Sequence, residues 1–139
     1  MRSSAMRDMM AITARPEIIS LAGGLPDTST FPVNAFVAEM DRIAGGKVPE
    51  VLQYGPTEGL QLVREQITEV MLAEQMHVDV ADVTVTTGGQ QAIDLITKVL
   101  IDPGDILICD APTYPGAIPT FCSYEAEVIP IESDADGMR

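Results

Sequence analysis

The residues with the clearest chemical potential lie in one stretch, Val83–Leu95, which reads VTVTTGGQQAIDL. Alternating Val and Thr are typical of a strand, and the residues from Gln90 onward follow a helical pattern. Gly88 and Gly89 allow a tight turn and leave no side chain in the path of a ligand. Because the first amides of a helix lack intrahelical partners and carry its positive dipole end, such a turn can bind a phosphate or a carboxylate. A plain strand-to-helix connection gives the same pattern, so this stretch alone leaves both interpretations open.

A second loop with chemical potential is Asp110–Gly116, which follows the apolar run Ile106–Cys109. A continuous apolar run is typical of a strand in a sheet that is covered on both faces. Ligands of parallel α/β sheets lie beyond the carboxyl ends of the strands, where this loop and the glycine turn are both expected. An anion could therefore bind the turn while Tyr114 lays its ring over a flat group.

Helices and strands alternate in the chain that must position these loops. The pattern predicts a mostly parallel α/β sheet preceded by an amino-terminal helical arm. Helices are predicted over 3–14, from Pro32 to the pair Gly45–Gly46, over 60–75, over 90–101 and over 116–124. Strands are predicted over 83–87, 106–109 and 127–131, with a short edge strand over 18–21.

Composition narrows the classes of function. The 139 residues are 46% hydrophobic with a mean hydropathy of +0.17, which favours a folded domain with a core. A net charge of −13 argues against nucleic acid or an anionic membrane as the main partner. No apolar run approaches the roughly 18 residues of a membrane span, and Met1–Asp8 lack the apolar core of a secretory signal, so we expect a cytoplasmic protein. Two cysteines without CxxC spacing and the single His77 predict no metal site.

Four motifs occur in order along the chain: Ala22–Pro26 (AGGLP), Gln53–Gly59 (QYGPTEG), Thr86–Ala92 (TTGGQQA) and Asp110–Tyr114 (DAPTY). Together they resemble the first part of a fold-type I, pyridoxal-phosphate-dependent aminotransferase of class I/II. Within that family the chain is similar to aminoadipate/kynurenine and multi-substrate aminotransferases, and to the aminotransferase-like domains of MocR regulators. The resemblance covers nearly the whole chain, and the order of the motifs makes it specific.

The resemblance implies roles for the cofactor pyridoxal 5′-phosphate. Gly88, Gly89 and Gln90 match the turn whose amides and side chain hold the cofactor phosphate. Tyr114 matches the aromatic residue that stacks on the pyridine ring. Tyr54 matches a tyrosine that reaches the cofactor phosphate of a neighbouring subunit, which implies a homodimer.

The resemblance also implies how substrate binds and how the chain is organised. Gly24 matches the loop that contacts the substrate carboxylate region, and Arg7 is similar to an amino-terminal arginine that reads a side-chain carboxylate or shapes the substrate pocket. We accordingly divide the chain into an arm and substrate loop (1–30), a helical segment (31–82) and the start of the α/β cofactor-binding large domain (83–139).

The catalytic lysine of the family has no match among the residues of this chain. Lys47 and Lys98 are the two lysines, and neither lies in the family's Ser-x-Ser-Lys context for Schiff-base formation. We therefore expect an amino-terminal fragment of an enzyme that transfers an amino group from an amino acid to a 2-oxo acid, inactive alone and without a catalytic residue of its own. The alternatives are a truncated, non-catalytic remnant and a dimerisation or effector-binding module of a MocR-like regulator.

Overall fold

The computed structural model describes residues 5–21 and 24–139, and it divides into two units, Met1–Tyr54 and Gly55–Arg139. The helices of the first unit are α1 (Ala5–Thr13), α2 (Val33–Ala44) and α3 (Val48–Leu52). The positions of α1 and α2 confirm the helices predicted there. Pro32, expected in the first turn of α2, directly precedes that helix, and α3 was not predicted.

The edge strand predicted over residues 18–21 is wrong, because those residues form no strand in the structure. Ile19 and Leu21 are almost fully exposed, so these two side chains are not part of a core in the described residues. A run of four residues has too little periodicity to separate a strand from an irregular segment.

The second unit contains all the strands that the described residues form. Its elements in chain order are α4 (Gln61–Ala73), α5 (Gly88–Leu100), β1 (Ile106–Ala111), α6 (Ala117–Ser123), β2 (Glu127–Asp134) and β3 (Gly137–Met138). The α/β class is therefore confirmed, as a mixed sheet of three strands among six α-helices in the described part of the chain.

The sheet has the strand order β1-β2-β3. Strands β1 and β2 are parallel, in register from Ile106 opposite Glu127 to Ala111 opposite Glu132, and α6 makes the crossover between them. The short β3 returns antiparallel to β2, with Ser133 opposite Met138. This return hairpin was not predicted.

The strand predicted over residues 83–87 is also wrong. The backbone is extended at Val83 (φ −97°, ψ 126°), but no described strand pairs with this segment. The Val85 N–H donates to the carbonyl of Glu58 at 2.8 Å, and Glu58 belongs to a loop rather than to a strand. Alternating Val and Thr therefore indicated the local extended conformation, whereas a strand also needs a neighbouring partner.

The buried residues of the described chain are Val83, Thr97, Cys109 and Ala117, and the last three belong to α5, β1 and α6, which together line one cavity. Thr97 satisfies its hydroxyl by donating to the Ile93 carbonyl at 2.7 Å. Along β1 the exposed residues alternate with covered ones, so this strand is covered on one face. The apolar run had predicted a strand covered on both faces, and that prediction is wrong. No helix in the described ranges is both long enough and apolar enough to cross a bilayer.

Candidate functional site

The glycine turn forms the amino-terminal end of α5, which begins at Gly88, two residues earlier than predicted. Gly88 has φ +74°, a left-handed conformation that favours glycine, and its N–H donates to the Thr86 carbonyl at 2.9 Å. The Gln91 side-chain oxygen accepts a hydrogen bond from the Thr87 N–H. The turn is thus fixed by bonds among its own residues.

The first turn of α5 contains amides without an α-helical partner. The residues four positions before Gly89 and Gln90 precede the helix cap Thr87, so the N–H groups of Gly89 and Gln90 lack such a partner. A Cβ built on Gly88 or on Gly89 would meet no atom within 4 Å. An anion can therefore approach these amides at the positive end of the helix dipole.

The side chain of Gln90 is hydrogen-bonded to Thr120 of α6 and to Gly116, the residue before that helix. Its Nε2 donates to the Gly116 carbonyl at 3.0 Å and to the Thr120 hydroxyl at 2.9 Å. An amide NH₂ has two hydrogens, so both are used, and the remaining side-chain atom with hydrogen-bonding capacity is an acceptor. Only the backbone N–H of Gln90 is then available to donate to an anion.

Tyr114 lies in the loop between β1 and α6, and its side chain is 60% exposed. A Cβ built on Gly116 would lie 2.6 Å from the Tyr114 Cε1 and Cζ atoms and 2.7 Å from its hydroxyl. The ring therefore packs directly against the backbone of Gly116 and leaves much of its surface to solvent. The Tyr114 carbonyl accepts from the Ala117 N–H at 3.1 Å, and the Ala111–Pro112 peptide bond in the same loop is cis.

A second link joins α5 to the end of α6. The Tyr124 hydroxyl donates to the Asp94 carboxylate at 3.1 Å. Partial burial, and secondarily the hydrogen bond and negative charge of Asp94, raise the pKa of Tyr124 above its ordinary value. On α5, Asp94 lies one helical turn after Gln90. At the other end of the link, Tyr124 lies ten residues after Tyr114.

The structure thus brings together the turn residues 88–90 and Tyr114, all in the second unit. Tyr54 belongs to the first unit and is 98% exposed, and Gly24, also in the first unit, has φ +59° with open space around it. The side chain of Arg7 lies outside the described residues. Sequence reasoning missed Gly116 and Thr120, because nothing in a single sequence links positions 26 and 30 residues from Gln90.

Residues 16–139 match the family model for aminotransferase class I and II. The chain belongs to this family. It is 37% identical over its whole length to aromatic-amino-acid aminotransferase 1 of Thermococcus litoralis, covering 34% of that protein. It is 40% identical over 86% of its length to 2-aminoadipate transaminase of Thermus thermophilus, covering 29% of that protein.

Solved structures show the same relationship. A structure of Pyrococcus horikoshii kynurenine aminotransferase, in complex with PMP and with KYN as substrate and KYA as product, matches the whole chain with a TM-score of 0.87 and 38% identity. The chain covers 34% of that structure. The chain therefore spans about a third of the length of these relatives, and it corresponds to an amino-terminal portion of the aminotransferase fold. The resemblance drawn from the four motifs is confirmed at the level of the family.

Proposed function

We propose that this chain provides the phosphate-binding turn and the ring-stacking residue of a pyridoxal-phosphate-dependent enzyme that transfers an amino group from an amino acid to a 2-oxo acid. The observation that carries the proposal is the hydrogen-bonded connection from the open amino-terminal end of α5, through Gln90, to the loop that bears Tyr114. Family membership and the PMP complex of the Pyrococcus horikoshii relative support it.

The donor set fits a phosphorylated, flat cofactor. The amides of Gly89 and Gln90 would hold the phosphate, since neutral N–H groups at a helix start can bind an anion even on an acidic protein. The exposed ring of Tyr114 would stack on the pyridine ring and fix its orientation. When bound, pyridoxal phosphate supplies the electron sink for transamination.

The chain's lysines do not fit the role of proton carrier. Lys47 is the residue before α3 in the first unit. Lys98 is exposed in the last turn of α5, ten residues and so roughly 15 Å along the helix from Gly88. We therefore propose that neither residue forms the covalent link to the cofactor, and that this chain alone does not transaminate.

The first unit would complete the site in the whole enzyme. In this proposal Tyr54 reaches the cofactor phosphate of a second copy in a homodimer, which its almost complete exposure permits. Gly24 and Arg7 would contact the substrate. The names of the relatives above refer to aromatic amino acids, kynurenine and 2-aminoadipate. We propose that the amino donor of the whole enzyme is an amino acid of one of these kinds. The division into 1–30, 31–82 and 83–139, and a cytoplasmic location, stay predictions.

A titration of the chain with pyridoxal phosphate, pyridoxal and inorganic phosphate, followed through backbone amide NMR signals, tests the site. We expect the two phosphorylated ligands to shift the amides of Gly89 and Gln90 and pyridoxal to shift them much less. Gly89→Ala should weaken phosphate binding, because the new methyl group occupies the open space before the amides. The same change should stabilise the helix by up to about 1 kcal/mol, so unfolding cannot explain the weaker binding.

Gly46→Ala is the matched control, because Gly46 also has open space around its Cβ position and lies in the other unit. It should leave binding unchanged. Equal binding to wild type and Gly89→Ala, or shifts confined to other amides, would contradict the proposal.

The lysine assignment is tested separately by adding pyridoxal phosphate, reducing with borohydride and locating adducts by mass spectrometry. We expect no site-selective adduct on either lysine. A visible absorbance band that disappears in Lys47→Ala or in Lys98→Ala would show the assignment to be wrong.

A further inference from the structure

We propose that Gln90 and Gly116 are positioning residues that set the Tyr114 ring at a fixed place beside the α5 turn, and that the Gln90 side chain is not itself a phosphate ligand. This deepens the proposed function, and its ligand-binding part rests on that function. The consequence is ligand selectivity: the site would favour a ligand that carries a phosphate and an aromatic ring at one fixed distance over a ligand that carries only one of these groups.

Two hydrogen bonds orient the Gln90 amide. Its two hydrogens are taken by the carbonyl of Gly116 and the hydroxyl of Thr120, at 3.0 and 2.9 Å. The oxygen and nitrogen of this amide cannot be exchanged, because an oxygen in place of Nε2 would face the Gly116 carbonyl, which has no hydrogen to donate. An anion placed at the turn would meet only the acceptor oxygen of this side chain, which does not attract it.

Gly116 is in direct contact with the Tyr114 ring. The Gly116 carbonyl is held by Gln90, and its Cα lies so close to the ring that an added Cβ would overlap Cε1, Cζ and the hydroxyl. The conformation of Gly116 is ordinary, with φ −72° and ψ −22°, so the space beside the ring, and not the backbone torsion, requires glycine here. Fixing the Gly116 backbone therefore fixes one side of the ring.

Gln90 also anchors α6. Thr120 lies one turn into α6, so Gln90 holds both the residue before the helix and the helix itself. Two bonds from one rigid amide group restrain rotation as well as distance. The link spans 26 residues of sequence and joins the residue before α6 to the amino-terminal end of α5.

A ligand-free experiment tests the positioning role directly. In Gln90→Met the side chain keeps its length but cannot donate, and in Thr120→Val one acceptor is lost while the turn is untouched. We expect both variants, and Gly116→Ala, to shift the Tyr114 ring signals in NMR spectra and to speed amide exchange at the start of α6.

Asp94→Asn is the matched control for the ligand-free experiment, because it alters the other α5–α6 link, the one to Tyr124. It should leave the Tyr114 signals in place. Unchanged Tyr114 signals in both Gln90→Met and Thr120→Val would overturn the inference, whatever the protein binds.

A ligand series then separates positioning from phosphate binding. In Gln90→Met we expect the affinity for inorganic phosphate to stay within about twofold of wild type, while the affinity for pyridoxal phosphate falls roughly five- to tenfold, as loss of about one net hydrogen bond implies. An equal loss for both ligands would make the side chain a phosphate ligand and refute the inference. If wild type binds no pyridoxal phosphate, the proposed function fails for this chain, and the ligand-free comparison still decides the positioning role.

Discussion

Replacing Gly59 by alanine should destabilise the second unit for two separate reasons, backbone strain at residue 59 and overpacking against Val85. Gly59 has φ +99°, and strain of a side chain in such a conformation costs about 1–3 kcal/mol. Its Cβ would also lie 2.6 Å from Cγ2 and 2.7 Å from Cβ of Val85. Neither Val85 atom is the end of a long flexible side chain, and the Val85 N–H is bonded to the adjacent Glu58 carbonyl, so relief requires a backbone shift. Overpacking of this kind adds about 1–3 kcal/mol.

Gly104→Ala separates the two contributions, because Gly104 has a similar φ of +89° but nothing within 4 Å of its Cβ position. Urea unfolding followed by circular dichroism should therefore show Gly59→Ala to be less stable than Gly104→Ala by about the overpacking cost, 1–3 kcal/mol. Equal losses in the two variants would mean that the contact between Gly59 and Val85 is not maintained in solution, and the reasoning from it would fail.

Two further predictions concern titration and reactivity. Partial burial raises the pKa of Tyr124 above its ordinary value, so the unfolded chain releases this proton first, and stability should fall as pH rises through the interval between the unfolded and folded pKa values. Asp94→Asn should lower this pKa, as followed by tyrosinate absorbance, and an unchanged titration would exclude Asp94 as a cause. Cys122 is exposed and Cys109 is buried, so a thiol reagent should modify Cys122 in the native protein and Cys109 only on addition of denaturant. Equal native rates for the two thiols would contradict the burial of Cys109.

The helices with a continuous apolar stripe could be predicted from sequence, because their periodicity reports the local backbone directly. The stripe that begins at Val33 and the stripe from Leu60 onward gave α2 and α4 with shifts of one or two residues at the ends. The two glycines at 88 and 89 indicated a tight turn before a helix, which the structure confirms at the first turn of α5, whereas anion binding there stays a prediction.

Features that depend on a distant partner could not be predicted. The Val and Thr alternation over 83–87 predicts extended backbone, but a sheet assignment also needs a neighbouring strand. The hydrogen bonds of the Gln90 side chain depend on where α6 begins in space, and its predicted phosphate contact came from the family resemblance, which does not report these bonds. The helix α3 has five residues, too short for any periodic signal.

The sparse burial of the described residues has a thermal consequence. Val83, Thr97, Cys109 and Ala117 are the buried residues there, while the outer face of α5 and alternate residues of β1 are hydrated in the folded chain. The heat capacity of unfolding arises mainly from apolar surface that becomes newly hydrated, typically about 12–15 cal/mol/K per residue. Apolar surface that is already hydrated in the folded chain contributes nothing to the heat capacity of unfolding. The stability of this chain should accordingly vary less steeply with temperature than that of a fully covered domain of equal length, with little enthalpy absorbed when it melts.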